Sequence, residues 1–455
     1  MESTQSLSFN VARKNPELIA PAKPTPYEFK NLSDIDDQDG LRYPISVIQF
    51  YRTNPSIEGK DPVEVIRDAI AKALVFYYPF AGRLRERAAR KLVVECTGEG
   101  VMFIEADADV TLQQFGDDIR PPFPFEEELL YDVPHSVGLL HCPLLLIQVT
   151  RLKCGGFIFA FSLNHSMSDG AGIVQFMSAV GELARGADAP SVPPVWDRHL
   201  LNARSPPCVT CTHHAYDGVP DSKGTELIPP DDMVQRTFFF GSGEFSALRS
   251  HLPLHLRGCS TFDLLTASLW HCRTVAISPE PNEVVKLLFP VNCRKLLNPP
   301  LPDGYYGNAI ALQIAISTAG DLSKNPLHYA VELVKKMKTD VTEEFVKSTA
   351  DMMVIRGRPH YTVVGCFMVS DLKNVGFNEL DFGWGNPVYG GPMKLGLTSF
   401  YISHKNNKGE NGRLVSICLT ENAMKVFVFE LERVLKGGGD AVADRESMPF
   451  ITSAL

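Results

Sequence analysis

His165 is the residue of this chain whose type best suits moving a proton near neutral pH. It ends the apolar run FIFAFSLNH (157–165) and is followed at position 169 by an aspartate and at 170 and 172 by glycines. A neutral imidazole takes a proton from a hydroxyl or an amine, typically for about 10²–10⁴-fold in rate. Asp169 has two readings: it orients the imidazole, as in a triad, or it turns away and pairs with an arginine that holds the loop. The change from strand to glycine-bearing loop makes a single helical turn over 165–169 doubtful, and the triad geometry with it. No GxSxG elbow accompanies the pair, which disfavours a serine hydrolase. A histidine at a strand end also has a plain structural reading, and its surroundings must decide.

Two further clusters invite chemistry. The segment DFGWG (381–385) contains a kinase-like Asp-Phe-Gly, but no glycine-rich nucleotide loop and no HRD loop accompany it. Asp381, Phe382, Gly383, Trp384 and Gly385 therefore read as a fixed, structural loop. PPCVTCTHH offers Cys208, Cys211, His213 and His214 as zinc ligands. Structural zinc sites draw ligand pairs from separated segments, and four ligands within seven residues fit a tetrahedron poorly. No metal is expected.

The elements that would position His165 follow from periodicity. LLLIQVTRL (144–152) and FIFAFSLNH are strand-like runs joined by KCGG, a glycine-bearing hairpin turn. After a short loop, residues 171–186 place Ile173, Val174, Phe176, Met177, Val180 and Leu183 at helical spacing. The same unit recurs near the end: SFYISHK (399–405), RLVSICLT (413–420), then an amphipathic helix over 421–437. The second copy has no histidine at its strand end, so the unit does not need one. Between the halves, the proline-rich and turn-rich stretch 187–232 reads as a long irregular connection. A helix is expected from Ser260, with Asp263 at capping-box distance. Strands are expected over 283–292 and 308–317, and a long, interrupted helical stretch over 327–354. The fold class is mixed α/β with two similar domains, 1–190 and 233–455, joined by a crossover at 191–232.

At 455 residues, with 44% hydrophobic and 21% charged, the composition is that of an ordinary globular protein of more than one core. A net charge of −9 argues against a nucleic-acid partner. The N-terminus has no apolar stretch of signal length, and the most apolar window, 137–149, is too short to span a bilayer. A cytoplasmic protein with reduced cysteines is expected, without membrane span. The C-terminal Ser-Ala-Leu hints at a peroxisomal alternative, without the basic middle residue of that signal.

HSMSDG (165–170) and DFGWG (381–385), separated by about half the chain, together resemble the two signatures of the BAHD family of plant CoA-dependent acyltransferases. LSDIDDQ (32–38), YYPFAGRLR (77–85) and LPDGYYGNA (301–309) extend the resemblance over nearly the full length. It implies two chloramphenicol acetyltransferase-like domains with an active-site channel between them, a monomer, and no bound cofactor. The partners it implies are two small molecules, an acyl-CoA co-substrate and an alcohol. His165 would be the catalytic base. Asp169, beside Gly170, would pair with Arg294 of FPVNCRK, and the DFGWG loop would be structural. For CoA the resemblance points to Ser260 and Thr261 at a helix start and to Arg356 and Arg358 of IRGRPHY. The sequence departs from the family at Leu372, where many relatives have a tryptophan that can contact the reacting centre; the oxyanion donor is left open. The wording of NPELIAPAKPTP, NLSDIDDQ and PPFPFEEELLYDVP is similar to that of the alcohol acyltransferase group. Benzoyl-CoA with benzyl alcohol is the expected pair. Acetyl-CoA with other alcohols is the alternative, and a catalytically silent acyl-CoA-binding relative the alternative of another class.

Overall fold

The apolar runs of the first half pair side by side. In the computed structural model, which describes residues 7–57, 59–123, 125–134, 138–218 and 232–436, Leu145–Leu152 and Phe157–Asn164 form an antiparallel hairpin. Alternate residues of the second strand enter two different cores. Phe157, Phe159, Phe161 and Leu163 meet the helices Pro62–Phe76 and Gly170–Ala184, while Ile158 and Ala160 face the opposite side. Burial on both faces is why this strand reads as a continuous apolar run.

The hairpin lies inside a seven-stranded mixed sheet. Its order is Val11–Arg13, Val101–Ala108, Leu145–Leu152, Phe157–Asn164, Pro44–Tyr51 and Tyr389–Pro392, with Glu17–Ile19 also paired to Val101–Ala108. The second half builds a six-stranded sheet in the order Met233–Phe240, Asn411–Thr420, Thr398–Lys405, Cys366–Asp371, Val284–Asn292 and Ile310–Thr318. The helices Thr261–Ile277, Leu327–Thr339 and Glu421–Lys436 cover one face of it. A three-stranded sheet (Phe29–Asn31, Leu92–Glu95, Arg83–Glu86) completes the strands.

The helical stretch expected over 327–354 is two helices. The first ends at Thr339, and Thr342 restarts the chain as Glu343–Ile355, its hydroxyl accepting from the N–H of Phe345 at 3.3 Å. All six apolar residues marked at helical spacing in 173–183 are buried.

The two halves are not strictly sequential. Tyr389–Pro392 leaves the second half and pairs antiparallel with Pro44–Tyr51, Gly390 opposite Gln49. Phe377, Leu380, Phe382 and Trp384 enter the first half's core. A side chain at Gly390 would stand 2.4 Å from the Phe377 carbonyl oxygen, so a glycine lets this segment fold tightly on itself. The stretch 377–392 thus belongs structurally to the first unit, and it covers what would otherwise be a sheet edge.

Residues 187–218 of the crossover run irregularly, tied by Val195 N–H to Gly304 O (2.9 Å) and Trp196 Nε1–H to Asn31 O (3.2 Å). Residues 219–231 and the Ser-Ala-Leu terminus lie outside the described residues. Among the described residues no helix is long and apolar enough to cross a membrane. None of their His, Cys, Asp or Glu side chains gather in threes around a metal position. In the cluster weighed for zinc, His213 is buried with Nε2 on the Ser348 hydroxyl (2.8 Å). His214 points to Asp217 at the surface, and Cys208 is exposed.

Candidate active site

The strand Phe157–Asn164 delivers His165 to a tight turn. The His165 N–H extends the pairing with the neighbouring strand by donating to Tyr43 O at 2.9 Å, and the Met167 N–H closes the turn on Asn164 O at 3.0 Å. The imidazole is half-buried, with the Tyr43 ring edge-on at 5.6 Å. Its Nδ1 is enclosed without a partner at hydrogen-bond distance, and the Asn308 side chain stands close to the ring. Burial holds the imidazole below its ordinary value of 6.5, so it is neutral at pH 7 and able to accept a proton.

Asp169 turns away from that ring. It caps the helix Gly170–Ala184, accepting from Gly172 N–H at 3.0 Å, and takes a further bond from Ala309 N–H at 3.0 Å. Arg294 grips it in a fork, 2.7 Å to each carboxylate oxygen, and also donates to Gly307 O at 2.8 Å. Burial alone would raise this carboxyl. The Arg294 charge and the converging donors outweigh it and hold the group below the usual carboxylate range. Asp169 acts on His165 only as a charge through space. Gly172 is required locally: a Cβ there would lie 2.2 Å from Tyr306 O.

A second clamp holds the other side of the turn, through residues the sequence reading did not single out. The Asn308 amide donates to His165 O at 2.8 Å and to Asp36 Oδ1 at 2.9 Å. Asp36 also receives Asn308 N–H and the buried Arg198 guanidinium, each at 2.8 Å. Arg198 reaches on to Met167 O at 2.8 Å while lying over the Trp196 ring at 4.3 Å. The backbone around His165 is therefore fixed from two sides by charge-assisted bonds. The signal lay in LSDIDDQ and GYYGNA, but nothing local ties an aspartate at 36 to an arginine at 198.

The DFGWG loop makes its contacts within the first unit. Asp381 folds the loop on itself, accepting from Gly383 N–H (2.7 Å) and Gly385 N–H (2.8 Å), and both glycines adopt positive φ. Phe382 packs on Phe159 at 4.9 Å, Trp384 lies edge-on to Phe157 at 5.3 Å, and Arg185 binds the Asp381 carbonyl. Leu372 lies beside Gly170, and its N–H is committed to Tyr401 O at 2.9 Å, so it supplies no oxyanion donor.

Of the residues expected to meet CoA, Ser260 and Thr261 stand at the start of the helix Thr261–Ile277. Ser260 closes a capping box with Asp263, and Lys338 adds a cation there, 2.5 Å from Asp263 and 3.2 Å from the Ser260 hydroxyl. The Ser260 hydroxyl accepts both bonds and donates none to the described residues, and the helix start suits an anion. Arg356 is exposed, with no carboxylate at ion-pair distance among the described residues. Arg358 corrects the expectation. It is buried and donates to Asp37 Oδ2 at 2.6 Å and Ala89 O at 2.7 Å, because Asp37 is enclosed and needs its charge, as it needs those of Arg42 and Lys91. Arg358 fastens the loop 356–361 to the first half and leaves no fork for a phosphate.

The profile of the Transferase family matches residues 9–434. The chain belongs to this family, the BAHD acyltransferases. This transferase is 65% identical to benzyl alcohol O-benzoyltransferase of Petunia hybrida, over all of both chains. It is 54% identical to alcohol acyl transferase 1 (allele GSd) of Malus domestica, over 93% of this chain and 94% of that one. Its fold is shared by vinorine synthase (TM-score 0.71, 22% identity, 93% of this chain and 98% of the other). It is shared too by F. sporotrichioides TRI101 complexed with coenzyme A and T-2 (TM-score 0.68, 17% identity, 89% and 98%). Both likenesses concern the fold.

Proposed function

We propose that this transferase moves an acyl group from CoA to an alcohol, with benzoyl-CoA and benzyl alcohol as the pair, giving benzyl benzoate and free CoA. The observation that carries the chemistry is His165: a neutral, half-buried imidazole on a turn clamped from both sides. The 65% identity to the Petunia benzoyltransferase supports the substrate pair.

His165 Nε2 takes the proton of the acceptor hydroxyl as its oxygen attacks the thioester carbonyl. The tetrahedral intermediate then collapses, the carbon–sulfur bond breaks, and the imidazolium returns its proton to the leaving sulfur. Holding both substrates against a rigid base gives the positional advantage that free reactants lack. Ser260, Thr261, Lys338 and Arg356 are the groups available to phosphates, while Asp169 with Arg294, and Asp36 with Arg198 and Asn308, keep the turn in shape.

The acid limb of the kcat/KM profile follows from the depressed imidazole. Neutral His165 is the active form and burial lowers its pKa, so the limb inflects below the ordinary 6.5. Between that folded value and 6.5 the unfolded chain binds more protons, so this group makes stability fall as pH drops through the window. A pH–rate series in free enzyme checks it, and a limb above 6.5 would contradict the buried base.

The function is tested by CoA release from benzoyl-CoA and from acetyl-CoA, each with benzyl alcohol and with an aliphatic alcohol. Preference for the aromatic pair supports the reading. Preference for acetyl-CoA and aliphatic alcohols would move the assignment to the second reading, a volatile-ester synthase, still an alcohol acyl transferase like the Malus domestica relative at 54% identity.

A further inference from the structure

Tyr43 is a large aromatic side chain left 41% exposed immediately beside the base. Its carbonyl holds the His165 N–H at 2.9 Å, and its ring stands edge-on to the imidazole, 5.6 Å between centroids and 61° between planes. The phenol is nonetheless pushed above its ordinary value, first by burial and then by the Tyr361 hydroxyl that it meets. The ring is thus open on one side and packed against the imidazole and Tyr361 on the other.

Tyr361 backs it from the second half. Its ring lies against Gly40, where a Cβ would come within 2.3 Å of Cδ1 and Cε1, and on its other neighbour His360 at 4.6 Å. The loop carrying Tyr361 is fastened by Arg358 to Asp37, by Asp39 N–H to Arg358 O (3.4 Å) and by Thr362 N–H to Ala215 O (2.8 Å). The two tyrosines therefore form one wall, half from each domain, braced by the buried ion pair.

We propose that the open face of Tyr43, backed by Tyr361, seats the aromatic ring of the alcohol and so selects benzyl over aliphatic acceptors. This rests on the function proposed above. An acceptor oxygen in hydrogen-bond reach of His165, about 2.6–3.2 Å from Nε2, carries its ring only one methylene farther away. That reach matches the distance at which the Tyr43 ring flanks the imidazole. Aromatic pairs gain most at centroid separations of about 4.5–7 Å, in edge-on or offset arrangements. An alkyl chain against the same ring gains area burial but not the ring–ring contribution.

The test uses the purified full chain, benzoyl-CoA, and two acceptors, benzyl alcohol and 1-hexanol, compared as the ratio of their kcat/KM values. The ratio does not depend on how much of a variant is folded. Tyr43→Leu lowers it by about threefold to tenfold, the loss expected of one aromatic pair, and Tyr43→Phe, which keeps the ring, leaves it unchanged. Equal loss on both alcohols in Tyr43→Leu would assign Tyr43 a scaffolding role and overturn the proposal. An unchanged ratio overturns it. Repeating the series with acetyl-CoA separates the donor's ring: a Tyr43→Leu effect seen with benzoyl-CoA and absent with acetyl-CoA would seat the acyl ring there and overturn the proposal too. Failure of the wild-type chain to use benzyl alcohol at all would instead remove the underlying function, and this selection with it.

Discussion

His165→Ala loses ester formation while keeping its fold. The rate of CoA release at saturating alcohol falls by about 10²–10⁴-fold, the range associated with a positioned general base. The thermal midpoint changes little, because the half-buried imidazole belongs to no ion pair among the described residues, whereas the backbone groups at 165 retain their bonds to Tyr43 and Asn308. The acid limb of the pH profile, which belongs to this imidazole, disappears in the residual activity. Steady-state CoA release beside a melting curve checks both halves. Full turnover in a folded variant would remove the base from the mechanism.

Arg294→Ala produces the largest expected loss of stability. Asp169 is nearly enclosed, and without its fork it keeps only the amides of Gly172 and Ala309. Removing one partner of a buried pair costs about 3–5 kcal/mol, because the other charge stays behind without compensation. Arg294→Lys retains the charge but not the two parallel bonds, and falls between. The pH dependence identifies the cause. In the wild type the Asp169 carboxyl lies below its ordinary value, so its stabilisation is present above the ordinary carboxylate range and is lost as pH falls through the folded value. In Arg294→Ala burial dominates and raises the carboxyl above its ordinary value, so the penalty of the buried charge is present at neutral pH and is relieved as pH falls through that raised value, the opposite slope to wild type. Chemical denaturation at several pH values measures it. A variant as stable as wild type and merely slow would return Asp169 to a triad-like role.

Local features were the legible ones. The strand end at His165, the helix core from Ile173 to Leu183 and the cap at Ser260 each depend on neighbours within a few residues, so periodicity and capping chemistry reveal them. Arg294 as the partner of Asp169 came from family resemblance, since 125 residues separate them. Nothing comparable pointed to Asp36, Arg198 and Asn308, common residue types that meet only after both halves fold. The burial of Arg358 escapes a local reading for the same reason. An arginine in a polar loop looks available until its carboxylate, 321 residues away, is seen. The stretch 377–392 likewise carries no local mark of the sheet it joins.

That returning strand has a practical bearing on shuffling acyltransferases. A hybrid spliced within 219–231 takes residues 1–218 from one parent, yet its first sheet still receives Tyr389–Pro392, and its first core Phe377, Leu380, Phe382 and Trp384, from the other. Foreign side chains then sit against Gln49, Tyr51 and Phe159, whose present partners include the carbonyls of Phe377 and Leu380 and the Phe382 ring. Grafts that carry 377–392 along with the amino-terminal parent keep this seam native, and donor exchange between relatives is best attempted with that three-piece design.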